Sequence, residues 1–305
     1  MTDPNRQHPR LHGSEQLPAL VLGATSLVGR FLIDRLVNAG IETTAVSRRP
    51  QAPRTGMEWI TSDFATLELP LDERPRVAFS AGPIWLLAPA LPVLRRVGVV
   101  RLVAFSSTSR YTKATSSIGS ERDVVRRLIE GEADVQAFCE SNDIKWTILR
   151  PTVIYAEGED RSITRLANLI RGLGVLPLAG DGAGKRQPVH ADDLALGAMA
   201  AATSSATENR SYDVPGGETL SYRSMCERIF EGMDRRPRIV AVHPTIWRFG
   251  LSVATLCMPR ITTEMGTRMA EDLTFDSIDA ERDFEWRPRG FRPHFPSVGS
   301  TFLQR

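Results

Sequence analysis

Two glycines frame the first segment with chemical potential, Gly23-Ala24-Thr25-Ser26-Leu27-Val28-Gly29. Between a strand and a helix, such a turn aims helix N-terminal N–H groups at an anion, and a dinucleotide pyrophosphate suits this spacing. Gly23 permits the tight turn, and Gly29 lets the helix lie close to the sheet. The middle position, where glycine would let backbone approach phosphate, is Ser26; its hydroxyl either bonds a phosphate oxygen or narrows the approach. Thr25, Leu27 and Val28 complete the expected cradle. At the end of the second expected strand, a carboxylate would take a ribose 2′-OH, but the chain has Ser47-Arg48-Arg49. Two guanidinium groups suit a 2′-phosphate through charge-assisted, bidentate bonds. NADP(H) is therefore the preferred cofactor and NAD(H) the second choice, with a solvated basic turn as the plain alternative.

Other reactive residue types form no comparable pattern. Cys139, Cys226 and Cys257 lie far apart with no CxxC pair, which reads as reduced, buried thiols in a cytoplasmic protein. His8, His12, His190, His243 and His294 have no ligand spacing, so no metal site is expected. Lys+Arg 38 against Asp+Glu 36 leaves no charge excess for general nucleic-acid binding. The 42% hydrophobic content excludes a disordered or fibrous chain. No apolar run reaches the roughly 20 residues of a membrane span; the longest, from Pro244 to Met258, is broken by Arg248 and Gly250.

The elements that must position these residues alternate between two periodicities. Residues 1–17 read as a flexible tail. Strands are expected at Ala19 to Leu22, Ile41 to Val46, Met57 to Thr61, Val77 to Ser80, Val99 to Ser106 and Trp146 to Leu149. Val28, Phe31, Leu32 and Leu36 predict a helix after the glycine turn, closed by Gly40. Ser120-x-x-Asp123 predicts a capping box opening a second long helix. A further helix runs from about Asp192 to Ala202, capped by Asp192 and preceded by a loop that His190 orders. This pattern predicts an α/β, Rossmann-type doubly wound parallel sheet. Residues 18–154 with about 188–205 form the expected cofactor domain. About 155–187 and 206–305 form a smaller substrate lobe.

These segments together resemble the short-chain dehydrogenase/reductase superfamily, in its extended NAD-dependent epimerase/dehydratase branch. The resemblance is carried by the glycine turn, Ser62-Asp63-Phe64, Phe105-Ser106-Ser107-Thr108, Leu149-Arg150-Pro151-Thr152-Val153-Ile154-Tyr155 and Arg186-Gln187-Pro188-Val189-His190-Ala191-Asp192-Asp193-Leu194. It implies that Asp63 contacts the adenine and that Ser107 or Thr108 bonds a substrate hydroxyl or carbonyl. It also places Pro151 and Val153 along the nicotinamide end and Arg186 at the diphosphate of a nucleotide-sugar. The family's chemistry uses a Tyr-x-x-x-Lys pair, the lysine lowering the tyrosine pKa from one turn away. Tyr111, Tyr155, Tyr212 and Tyr222 are followed four residues later by Thr115, Glu159, Gly216 and Cys226, so no such pair exists. Counting back from Arg150 puts its place near Leu128 and Glu132. Leucine exchanges no proton, and a glutamate would raise a tyrosine pKa.

Two functions follow. The first is an NAD(P)(H)-binding protein without the standard hydride-transfer pair, in a cofactor-sensing or structural role. The second is an active oxidoreductase or epimerase acting on a nucleotide-sugar or small carbonyl, with Tyr111, beside Lys113, or ordered water as proton carrier. A dimer is compatible with either.

Overall fold

The computed structural model describes residues 17–70, 75–243 and 269–295. Residues 1–16, Cys257 and the apolar stretch from Pro244 to Met258 lie outside them.

Buried apolar runs build the sheet. Its strands are β1 (Ala19–Leu22), β2 (Thr43–Ser47), β3 (Met57–Thr61), β4 (Val77–Ser80), β5 (Arg101–Phe105), β6 (Lys145–Pro151) and, beyond the short strands described below, β11 (Arg210–Val214). They line up as β11-β6-β5-β4-β1-β2-β3. All pairs from β3 through β6 are parallel. Strands β1 and β5 are buried at every position, as a sheet covered on both faces requires. The chain runs outward from β1 through β2 to β3, then returns to β4 and runs the other way. The reversal between β1 and β4 is the switch point at which doubly wound sheets bind ligands. The Rossmann-type architecture expected from the pattern is present.

Helix α1 (Leu27–Asn38) follows β1 directly. It buries Val28, Leu32, Ile33 and Leu36 and ends before Gly40, whose φ is 74°. Residues 57–92, poor in helical periodicity, contain two single 3₁₀ turns, Ile84–Leu86 and Ala88–Ala90. Then come α2 (Leu91–Arg96), α3 (Ser109–Thr112) and the 23-residue α4 (Gly119–Ser141). The expected capping box does not open α4: Ser120 already lies inside the helix, and Ile118 is the cap without a side-chain bond. Ser116 supplies the oxygen instead, accepting from the Ile118 N–H at 3.2 Å while donating to Glu121 at 2.6 Å.

The chain divides into two compact units. The first holds residues through Leu149, Ala195–Tyr212 and Ala280–Trp286; the second holds Arg150–Leu194, Asp213–Asp279 and residues from Arg287. Residues 280–286, read above as substrate lobe, thus return to the sheet unit. There Asp283 accepts from the Tyr212 hydroxyl at 2.7 Å and Arg210 at 2.8 Å.

The second unit contains β7 (Ile154–Tyr155), α5 (Ile163–Leu173), β8 (Leu176–Ala179), β9 (Lys185–Arg186) and β10 (Val189–His190). Helix α6 (Ala191–Thr203) begins there and ends in the first unit. Beyond β11 the second unit adds β12 (Leu220–Ser221), α7 (Tyr222–Glu231) and β13 (Ile239–Val242). Its core joins Tyr155, Ile170, Leu178, Ile229, Phe230 and Phe291. Asp192 does not cap α6. It stands in the first turn, where its carboxylate and that of Asp193 pair with Arg289 at 2.7 and 2.9 Å.

Candidate functional site

The glycine turn leaves β1 at the carboxyl edge of the sheet. Gly23 has φ 70°, and a Cβ there would lie 2.6 Å from the Gly82 nitrogen. A Cβ on Gly29 would lie 2.4 Å from the Gly23 carbonyl oxygen. Both positions therefore require glycine for a close approach of backbone to backbone. Ser26 is the N-cap of α1, its Oγ accepting the Gly29 N–H at 3.0 Å. One lone pair of the Ser26 hydroxyl thus serves the helix, and its O–H remains a donor. Thr25 is exposed, Leu27 is half-buried and Val28 is buried.

Three neighbouring loops meet the turn. The Ala24 N–H donates to Val46 at 3.3 Å and the Ala81 N–H to Leu22 at 2.9 Å. Phe64 packs so closely on Gly82 that a Cβ there would fall 2.8 Å from its ring. Gly82, one residue past Ser80-Ala81, is a site residue that the sequence reading passed over. Its signal was a glycine directly after a buried strand. Arg48 and Arg49 are exposed beyond β2, with the Arg49 N–H held by Ser47 Oγ at 3.3 Å. Asp63 folds its Oδ1 back onto the Thr66 and Ala65 N–H groups at 2.9 and 2.8 Å. The Thr66 backbone and side-chain bonds hold its pKa below the ordinary carboxylate value, and the nearby Arg48 charge adds to this. The carboxylate is therefore charged and oriented, with one oxygen committed to its own loop.

The corner after β5 is built differently. The Ser106 N–H donates to Leu149 at 2.8 Å, Ser107 Oγ accepts the Ser109 N–H at 3.1 Å, and Thr108 is buried at the start of α3. Tyr111 is 46% exposed, and the Arg110 guanidinium lies 5.3 Å from its ring centroid. Glu132 of α4 is 2% exposed. Ser106 Oγ donates to its Oε1 at 2.5 Å, and Arg110 forms an ion pair with Oε2. Nothing in the spacing of Ser106, Arg110 and Glu132 announced this buried cluster, since two elements separate its members. Helix α4 contains neither tyrosine nor lysine.

In the second unit, Pro151 is buried at the end of β6 and Val153 half-buried, its carbonyl accepting the Val189 N–H at 3.0 Å. Arg186 is buried. Its Nη1 donates to the Lys185 and Glu271 carbonyls at 2.7 Å each, and the guanidinium lies 5.5 Å from the Tyr222 ring centroid. His190 accepts the Asp192 N–H on Nδ1 at 3.1 Å, so its Nε2 carries the proton toward Glu157, 3.2 Å away. Burial raises the Tyr155 and Tyr222 hydroxyl pKa values well above the ordinary phenol, and that of Tyr212 to about 12. The thiols of Cys139 and Cys226 are buried and pushed up to about 12, as inert structural cysteines are.

Residues 88–214 match the model of the NAD dependent epimerase/dehydratase family. That match covers less than half of the chain. The class that the structure defines is a Rossmann-type doubly wound sheet. Among individual proteins, the chain is 22% identical over 244 residues to the mitochondrial "NADH dehydrogenase [ubiquinone] 1 alpha subcomplex subunit 9" of Arabidopsis thaliana. The match covers 73% of this chain but only 59% of that subunit. It is 26% identical over 236 residues, 75% of each chain, to the "Uncharacterized oxidoreductase YesF" of Bacillus subtilis. The fold is shared with MoeE5, solved in complex with UDP-glucuronic acid and NAD, at TM-score 0.68 and 20% identity over 90% of this chain and 94% of that one.

Proposed function

We propose that the protein binds a dinucleotide at the Gly23–Gly29 turn, NADP(H) in preference to NAD(H), and does not use it for the family's Tyr/Lys hydride transfer. Its role is then to sense or be stabilised by the cofactor. The observation that carries this reading is the contrast at one sheet edge. The turn retains its close-approach glycines and capped helix, whereas α4 offers no tyrosine or lysine and buries Glu132 instead.

The residues present fit a dinucleotide. Gly23 and Gly29 let the turn close tightly on backbone, which sets the α1 N-terminus at the end of β1, where it favours a pyrophosphate. Arg48 and Arg49 would hold the 2′-phosphate, and Asp63 would face the adenine. Bound dinucleotide would supply a redox-active nicotinamide, toward whose end Pro151 and Val153 belong in this reading. Ser107, Thr108 and Tyr111 line the corner where a substrate oxygen would lie, and Arg186 would serve a diphosphate. MoeE5, with its nucleotide-sugar complex, supports the alternative of an active enzyme of that substrate class.

Calorimetry on the full chain tests the reading. Each lost charge-assisted contact costs about 1.5–3 kcal/mol. Arg48→Ala with Arg49→Ala is therefore expected to weaken NADPH binding by about 100-fold or more, leaving NADH affinity little changed. Failure of the wild type to bind either dinucleotide would sink the proposal. Turnover of a nucleotide-sugar or carbonyl that is lost in Tyr111→Phe or Thr108→Ala would replace it with the enzymatic alternative.

A further inference from the structure

Strand β13, Ile239-Val240-Ala241-Val242, is apolar at four consecutive positions. It pairs with β8 alone, in a two-stranded parallel sheet, and its other edge carries no strand among the described residues. A strand with one face in water normally alternates apolar and polar residues. Here Val240 is 52% exposed and Ala241 is exposed as well. Leu173, at the end of α5 three residues before β8, is 57% exposed.

Three arginines precede this apolar strand on the same segment. Arg235 donates from Nη1 to the Ile170 carbonyl at 3.1 Å, which fixes the segment before β13 against the carboxyl end of α5. Arg236 and Arg238 are exposed on that segment, and the Leu176 N–H donates to the Arg238 carbonyl at 2.9 Å. Glu231 and Asp234 precede them. From Arg235 to Thr263 the sequence then contains five arginines and no aspartate or glutamate. Only the part through His243 is described structurally.

Apolar side chains beside guanidinium groups match an interface of phosphate headgroups over acyl chains, with the exposed Glu231 and Asp234 confined to the start of the segment. Arginine keeps its head at the phosphates while its stem covers apolar surface. We propose that this edge, with Arg236, Arg238, Val240 and Leu173, docks the protein on an anionic lipid surface. The attachment proposed is peripheral; among the described residues no helix is long and apolar enough to cross a membrane. The proposal stands apart from the dinucleotide reading and does not depend on it.

Vesicle co-sedimentation of the full chain tests it. Vesicles of phosphatidylglycerol mixed with phosphatidylcholine should pull down the protein, pure phosphatidylcholine should not, and added salt should release it. Each basic residue near such a surface is worth about fivefold in partition, so Arg236→Gln with Arg238→Gln should lower it by about 30-fold. Val240→Asp and Leu173→Asp should lower it too, with the far-ultraviolet circular dichroism spectrum unchanged. Because both arginines are exposed, their variant remains informative if Val240→Asp misfolds. No partition onto anionic vesicles, equal partition onto both kinds, or an unaffected arginine variant would overturn the proposal. So would a concentration-dependent dimer abolished by Val240→Asp in a chain that ignores vesicles.

Discussion

The glycine turn after β1 and the corner after β5 lie at the same carboxyl edge of the same sheet, yet they are held in different ways. The turn is fixed by backbone: two glycines in contact distance of carbonyls and amides, a helix cap, and hydrogen bonds to the ends of β2 and β4. The corner is fixed by charge, with a buried carboxylate taking a hydroxyl from one element and a guanidinium from the next. Backbone cradles tolerate little substitution, because a single Cβ destroys them. A side-chain cluster can be exchanged as a set, and an exchanged set ends one chemistry without disturbing the fold. The comparison therefore shows how a backbone turn and a side-chain cluster at one sheet edge can vary independently.

The largest effect is expected at the corner. Arg110→Met would leave Glu132 buried without its counter-charge, at a cost of about 3–5 kcal/mol at neutral pH. Glu132→Leu added to it removes the stranded charge and should restore most of that loss. Urea unfolding of the two singles and the double gives the coupling. Additive effects would show that the pair is not the unit described here. At the turn, Gly29→Ala forces a Cβ to 2.4 Å from the Gly23 carbonyl oxygen. It should cost about 1–3 kcal/mol of stability and markedly reduce NADPH binding. Equal affinity in calorimetry would separate the turn from the cofactor altogether. Ser26→Ala removes the cap and should cost about 1 kcal/mol, read as a lowered thermal midpoint. Its affinity for NADPH should fall by less than in Gly29→Ala.

The same comparison marks what the sequence makes legible. Periodicity places β1 and β4 with their observed ends, because buried parallel strands are short apolar runs bounded by turn residues, and it places the half-exposed edge strand β3 as well. The glycine turn is equally legible, since local backbone geometry demands glycine in it. The start of α4 is not: Ser120 and Asp123 have the capping spacing, but Ser116 reaches the helix end first. Asp192 likewise looks like a cap, while its partner Arg289 lies 97 residues away. Arg110 and Glu132 are 22 residues apart on separate helices. Clusters closed by tertiary structure leave no periodic trace in the chain, and the candidate corner is of that kind.

The smallest effect belongs to an ion-pair network outside both regions, and it calibrates the buried corner against an exposed one. Glu218 accepts both Nη groups of Arg228, and Arg292 adds a third contact at 3.0 Å. The Arg228 hydrogen bonds draw its pKa down to about 2 against a modest opposing effect of burial, and the Arg228 and Arg292 charges add to the decrease. A carboxylate depressed on folding stabilises the protein at pH above its ordinary value of 4.5 and loses that contribution as pH falls toward about 2. The shift alone would suggest several kcal/mol, but Glu218 keeps 29% of its side-chain surface in water beside a largely exposed Arg292, and screening leaves about 1 kcal/mol or less. Wild-type stability should thus decline between pH 4.5 and 2 slightly more steeply than that of Glu218→Gln. The two curves should differ most at neutral pH and converge in acid. High salt should shrink the gap between them more than the Arg110–Glu132 coupling, because Glu218 and Arg292 are 29% and 66% exposed whereas Glu132 is 2% exposed. If salt erased both alike, the corner would be an exposed pair after all, and its cost on disruption should fall to the same small size.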